Sequence, residues 1–515
     1  MTIAKLLLPL LLTVSIPAAA KVAVEQQTLS SLAEAIAKGD TTSERAVKAY
    51  LKRSGKIDDR GPMLNAVITL NPDALKEAKQ LDRERRKGRL RGPLHGVPIL
   101  LKDNIEAAGA MPTTAGSLAL KDNVTNRDAP LVARLKAAGA IILGKTNLSE
   151  WANIRSDNST SGWSAVGGLT KNPHSLLHNT CGSSAGSGAA MAARLAAGTV
   201  GTETDGSITC PSSVNGVVGF KPTVGLVSRR FVVPISHTQD TAGPMTLTVR
   251  DAALMLTAMA GSDAEDAATA EADARKVNYV KELSKDGLKG VRVGLVEAQG
   301  ADAALIAAAK KRLEAAGAIV QPLTINRADY AGLGEAEFKI LLAELKADLA
   351  SYLQGLPPGN VPHKSLGDII AFNTANADTE LAHFGQETFE QADKEAGLDD
   401  PAYLEAVAKA RRLSRAEGLD KLFADNKIDL IVGQTNGPAW LSTLGKGDAF
   451  APPSMSQLPA TAGYPHLTVP MGAVGGLPVG LSFIGGQWQD AQVLSAGYAF
   501  EQAGPSLRVE PTFKP

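Results

Sequence analysis

Apolar positions near the start of the chain recur every three to four residues. Leu29, Leu32 and Ile36 do so, as do Val47, Tyr50 and Leu51, which predicts a helical pair broken at Gly39-Asp40. Pro72 to Arg86 reads as a charged helix opening at a proline, where the missing N–H costs nothing. Val97 to Leu101, a short apolar run after Gly96, predicts a buried strand. Leu131 to Ala138 is helical, Gly139 stops it, and Ala140 to Leu143 reads as the next strand. The small-residue run Ala189 to Ala197 predicts a helix that packs very closely, followed by a strand at Thr199 to Gly201. Alternation of this kind implies an α/β domain with a sheet buried between helices.

The pattern weakens over Gly261 to Asp286, which is rich in Ala, Asp and Glu, and restarts as a strand at Val291 to Val296. Ala303 to Ala315, Glu335 to Leu353 and much of 377–424 read as helices. Strand-like runs return at Asp429 to Val432, His466 to Val469 and Val479 to Ile484. These last strands are expected to rejoin the first sheet. The chain then has a core at about 85–260 and a helical elaboration at about 290–430 within one domain.

Composition narrows the function classes. In 515 residues, 53 basic side chains balance 53 acidic ones and 4% are aromatic. Nothing there provides a basic footprint or stacking platform for nucleic acid. The first twenty residues read as a leader: Lys5 is basic, Leu6 to Ile16 is apolar, and Ala18-Ala19-Ala20 offers small residues for cleavage. The apolar run is about half the roughly 20 residues a membrane span needs. The expectation is an exported protein, periplasmic or secreted, with a mature chain of 21–515 and no membrane attachment after cleavage. Cys181 and Cys210 are the two cysteines. In an oxidising compartment they are either a bridge or two free thiols, because sequence does not give the Cβ geometry a bridge needs.

Three segments carry candidate chemistry. Gly96-Val97-Pro98-Ile99-Leu100-Leu101-Lys102-Asp103-Asn104 ends an apolar run on Lys102. A buried lysine can lose its proton near neutral pH and act as a base; a strand-end lysine reaching solvent cannot. Cys181-Gly182-Ser183-Ser184-Ala185-Gly186-Ser187-Gly188 and Gly201-Thr202-Glu203-Thr204-Asp205-Gly206-Ser207-Ile208 place serines in Gly-rich settings. A serine hydroxyl is a weak nucleophile until a base takes its proton. Backbone N–H groups of the turn before Ser207 can hold an oxyanion, although Ser207 can equally be a helix cap.

Two pattern matches lack the context they need. Gly182-Ser183-Ser184-Ala185-Gly186 fits G-x-S-x-G, but no strand precedes it as a nucleophile elbow requires. Gly139-Ala140-Ile141-Ile142-Leu143-Gly144-Lys145-Thr146 fits a P-loop with its strand in the wrong place. The seven histidines have no metal-ligand spacing, and Asp103, Glu150, Glu203 and Asp205 form no recognisable acid–base pair.

Taken together, the three segments resemble the amidase signature family. Gly144 to Trp151, Gly167 to Pro173, Asn215 to Thr223 and Ala462 to Pro470 fit the same pattern. The resemblance covers nearly all of the mature chain. It implies a single large α/β domain whose mixed central sheet is covered by helices on both faces. It also implies a serine amidohydrolase needing no cofactor and no metal, with Ser207 as nucleophile. Ser183, preceded by a cis peptide bond, would bridge, and Lys102 would be the base acting through it. The backbone N–H groups of Thr204, Asp205, Gly206 and Ser207 would form the oxyanion hole. Where the commoner family pattern is G-T-D-T-G-G-S, this chain has Glu203 for Asp and Asp205 for Gly. That variant, the leader and Val233 to Met245 are similar to the bacterial peptide amidase branch. Its members hydrolyse C-terminal carboxamides of peptides to the acid and ammonia, so the expected partner is a small or short peptide amide. An amidase or acylamidase acting on other small amides, an esterase using Ser184, a periplasmic solute-binding protein and an amidotransferase subunit are the competing readings.

Overall fold

The computed structural model describes residues 23–515; the leader segment 1–20 lies outside the described residues. Eleven strands form one sheet. In chain order they are β1 (Val67–Leu70), β2 (Pro98–Lys102), β3 (Ile141–Thr146), β4 (Gly198–Glu203), β5 (Val218–Lys221) and β6 (Thr241–Thr246). They continue as β7 (Arg292–Val296), β8 (Ile319–Leu323), β9 (Leu430–Gln434), β10 (His466–Val474) and β11 (Leu477–Ile484). Across the sheet they run β1-β3-β2-β4-β6-β5-β10-β11-β9-β7-β8. The centre is mixed: β2 is parallel to β3 and β4, whereas β4, β6, β5, β10 and β11 pair antiparallel in turn. The C-terminal strands do rejoin the first sheet, through β10 against β5. Residues 290–430 supply β7 and β8, parallel strands at the far edge, as well as helices.

The helices used below are α1 (Leu29–Lys38), α2 (Ser43–Ile57), α3 (Ala74–Arg86), α4 (Pro130–Ala137), α5 (Ala185–Ala192), α6 (Thr209–Val214), α7 (Val249–Met259), α8 (Ala303–Ala315) and α9 (Leu333–Gln354). The N-terminal pair forms as the spacing predicts: Leu29, Leu32 and Ile36 of α1 and Val47 and Tyr50 of α2 are buried, and Gly39 ends α1 in the left-handed region. The helix expected from Pro72 starts instead at Ala74, because the Asn71 side chain accepts from the Asp73 N–H at 2.9 Å and holds Pro72 in a turn.

Helix α5 departs from its expected bounds of 189–197. It begins at Ala185, directly after the two serines, and ends before Arg194, whose φ is +56°. Its small residues allow a close approach: a Cβ on Gly186 would lie 2.4 Å from the Ala66 carbonyl oxygen and 2.5 Å from that of Asn147. The strand pairs β2–β3 and β2–β4 and the buried helix α5 therefore fix where the chain turns at 102, 183 and 203.

Candidate active site

Lys102 is the last residue of β2, and Ile99, Leu100 and Leu101 before it are fully buried. Its side chain is fully buried too. The Nζ lies 2.7 Å from Ser183 Oγ and 2.9 Å from Thr202 Oγ1, and Asn104 Nδ2 donates to that threonine oxygen at 3.0 Å. Burial pushes the amine down to about 7, while the carboxylates of Asp240 and Glu203 pull it back up. The solvent-reaching alternative for Lys102 is thus excluded.

Ser183 follows a cis peptide bond from Gly182, the feature expected from the resemblance. The next residue ties this segment to the other serine: the Ser184 N–H donates to the Ser207 carbonyl at 3.1 Å. The Ser184 hydroxyl is committed elsewhere. It donates to the Thr202 carbonyl at 3.0 Å and accepts from the Thr202 N–H at 3.2 Å, and the side chain is fully buried. This arrangement has no room for Ser184 as a nucleophile.

Strand β4 ends at Glu203, and Thr204-Asp205-Gly206-Ser207 turns the chain into α6 with Gly206 at φ +78°. The start of α6 is capped by Glu203, whose Oε2 accepts from the N–H groups of Ile208 at 2.7 Å and Thr209 at 2.9 Å. The longer Glu side chain reaches both donors, so the capping role open to Ser207 is filled by Glu203. Ser207 lines a cavity of about 620 Å³ together with Ser183 and the Thr204–Gly206 turn. A second cavity of about 910 Å³ shares Asp205, Arg327 and Ser456 with the first.

The turn is buttressed by residues to which sequence assigned no role. Thr204 Oγ1 donates to Asp240 Oδ1 at 2.5 Å, and Asp240 Oδ2 accepts from the N–H groups of Ile235 and Ser236 at 2.8 and 3.0 Å. Gln239 Nε2 donates to the Thr204 carbonyl at 3.3 Å and to Glu337 of α9 at 2.9 Å. Burial pushes Asp240 up to about 6. Burial and the neighbouring Glu337 carboxylate hold Asp205 well above the usual carboxylate range.

Cys181 and Cys210 form a disulfide, with Cα atoms 6.0 Å apart, and both line the smaller cavity. Lys145 of the P-loop-like segment is buried inside β3 and donates to Thr113 Oγ1 at 2.9 Å, so it is structural. Among the described residues, His237, Glu344 and Asp348 bring ligand-type atoms within 4.8 Å of one another. Both imidazole nitrogens face carboxylates, Nδ1 that of Asp348 at 2.9 Å and Nε2 that of Glu344 at 3.3 Å, which makes an ion-paired histidine. No described helix is long and apolar enough to cross a membrane.

The structure thus places the Lys102 amine against Ser183 and ties the Ser184 N–H to the Ser207 carbonyl. The family model for amidase matches residues 45–494. The chain belongs to the amidase family. Among solved structures, native peptide amidase from Stenotrophomonas maltophilia is 49% identical with a TM-score of 0.89, over 95% of this chain and 99% of that one. A peptide amidase in complex with the competitive inhibitor chymostatin is 49% identical with a TM-score of 0.91, over 94% of this chain and 99% of that one. A glutamyl-tRNA(Gln) amidotransferase subunit from Moorella thermoacetica is 36% identical over 502 residues, 94% of this chain and 98% of the relative. The protein is an amidase of the hydrolase type, acting on amide C–N bonds, and its fold is close to that of peptide amidase.

Proposed function

We propose that this amidase hydrolyses the C-terminal carboxamide of short peptides, with Ser207 as nucleophile, Ser183 as proton relay and Lys102 as base. The observation that carries the reading is the buried Lys102 amine, close to neutral pKa, 2.7 Å from Ser183 Oγ. Neutral Lys102 accepts the Ser183 proton as Ser183 accepts that of Ser207, and Ser207 Oγ bonds to the carboxamide carbon. Backbone N–H groups of Thr204, Asp205, Gly206 and Ser207 hold the resulting oxyanion. The C–N bond breaks as Ser183 returns a proton to the leaving nitrogen, giving ammonia and an acyl-Ser207 ester. Water then attacks that ester by the same relay and releases the acid.

The peptide amide assignment is supported by the likeness to peptide amidase and by the Glu203/Asp205 variant of the turn. The leader-like residues Lys5, Leu6 to Ile16 and Ala18 to Ala20 support export, which the N-terminal mass of the protein in a periplasmic or culture-medium fraction tests. Ammonia release from C-terminally amidated dipeptides, measured for wild type, Ser207→Ala and Lys102→Ala, tests the reaction. Release by wild type and its loss in both variants is the expected result. Release from simple carboxamides but not from amidated peptides overturns the substrate class and leaves the mechanism standing.

A further inference from the structure

We propose that the Cys181–Cys210 disulfide is a positioning element of this site, holding the Ser183 segment against the helix behind Ser207 so that opening it lowers turnover while the chain stays folded. The inference rests on the reading of Ser207 as nucleophile. Cys181 stands two residues before Ser183, and Cys210 three residues after Ser207 in the first turn of α6. The bond therefore joins the two serine-bearing segments to each other within a few residues of each hydroxyl.

A second tie lies on the other side of Ser183, where the Ser184 N–H donates to the Ser207 carbonyl at 3.1 Å. Ser183 is also held by its carbonyl, which accepts from the Ser149 N–H at 3.0 Å, and the bridge adds a covalent tie to α6 on its Cys181 side. Cys181 is itself held by its N–H donating to Asn179 Oδ1 at 2.7 Å. The surroundings of the bridge are apolar, with Val214, Ala439 and Trp440 packed around it. The segments it joins are also anchored without it, by β4 within the sheet and by α5 packed against β4. Cys210 is only partly buried and both cysteines line the cavity, so a small dithiol reaches the bond. Reduction by dithiothreitol transfers two electrons and two protons to give two cysteine thiols and the cyclic disulfide of the reagent.

The test compares oxidised wild type, wild type reduced with dithiothreitol, the same sample reoxidised, and the Cys181→Ala/Cys210→Ala double variant. Three quantities are read: the rate of Ser207 labelling by a fluorophosphonate, located by mass spectrometry; kcat and KM on an amide that wild type cleaves; and the far-UV circular dichroism spectrum. A reacting group displaced by about 1 Å can cost on the order of a hundredfold, so kcat and labelling are expected to fall at least about tenfold in the reduced and variant proteins. KM should change less than about threefold, the spectrum should be kept, and reoxidation should restore both rates. Equal labelling and kcat with and without the bond, accompanied only by a lower Tm, overturn the proposal alone. Absence of labelling at Ser207 in oxidised wild type overturns the nucleophile assignment and this inference with it.

Discussion

Lys102 Nζ lies 2.7 Å from Ser183 Oγ and, among the described residues, makes no hydrogen bond to Ser207. In the proposed mechanism, a base that meets the relay serine rather than the nucleophile must be neutral for the first proton to move. The amine sits at about 7, so kcat/KM is expected to rise about tenfold per pH unit below that value and to level off above it. Lys102→Ala should remove this limb together with most of the activity. A pH profile of wild type that is flat from pH 5 to 8 would refute Lys102 as the base.

Asp240 adjusts that limb from the other side of Thr202 and Thr204. Its carboxylate raises the Lys102 pKa against the lowering caused by burial. Asp240→Asn removes the charge, so Lys102 becomes neutral at lower pH, and the acid limb should move down by up to about one unit. The Asn can accept from Thr204 Oγ1 but not from all the donors that Asp240 serves, so plateau kcat should fall as well. An upward move of the limb would contradict the assignment.

The sequence makes parts of this arrangement legible and hides others for physical reasons. Strand β2 is visible because a strand buried on both faces reads as an unbroken apolar run, and that run leads directly to Lys102. Strand β6 is not, because Gly243 and Pro244 sit in its middle; Gly243 is needed where a Cβ would lie 2.0 Å from the Phe220 carbonyl oxygen. The start of α5 is hidden because its Gly and Ser residues are poor helix formers, and tertiary packing overrides that preference. Lys102, Ser183 and Ser207 can be named from the family pattern. Of their supports, Asn104 and Thr202 lie in the same segments as Lys102 and Ser207, whereas Asp240 and Glu337 come from elsewhere in the chain and no local periodicity connects them. The cysteine pairing depends on Cβ geometry, which only the folded chain supplies.

Lys102 also makes the fold less stable. Burial lowers its pKa from 10.5 to about 7, so between those values the unfolded chain carries a proton that the folded chain lacks. Stability from this group therefore rises with pH across that window, and its cost is full below pH 7. A tenfold change in a protonation equilibrium is about 1.4 kcal/mol, so Lys102→Met is expected to gain about 2–4 kcal/mol at pH 6 after its lost hydrogen bonds are counted. The gain should shrink as pH rises to 10.5, where half of the unfolded lysine is still protonated, and vanish above it, where lysine is neutral in both states. Denaturant unfolding at pH 6 and pH 10 checks this, and a destabilised Lys102→Met at pH 6 would count against it.

Ser184 and Ser207 separate chemistry from support. Ser184 Oγ bonds both the N–H and the carbonyl of Thr202, whose own hydroxyl lies 2.9 Å from Lys102 Nζ. Ser184→Ala leaves a buried donor and a buried acceptor short of a partner, which should cost about 1–3 kcal/mol in denaturant unfolding. It leaves the Ser183–Lys102 contact and the Ser207 turn in place, so activity should stay within about tenfold of wild type. Ser207→Ala removes the proposed attacking oxygen without disturbing the capping of α6, which belongs to Glu203. It should therefore unfold like wild type and release no ammonia above background. If Ser184→Ala were the inactive variant and Ser207→Ala the active one, the nucleophile would have to be reassigned. The buried, doubly bonded hydroxyl of Ser184 would then have to leave Thr202 during each turnover.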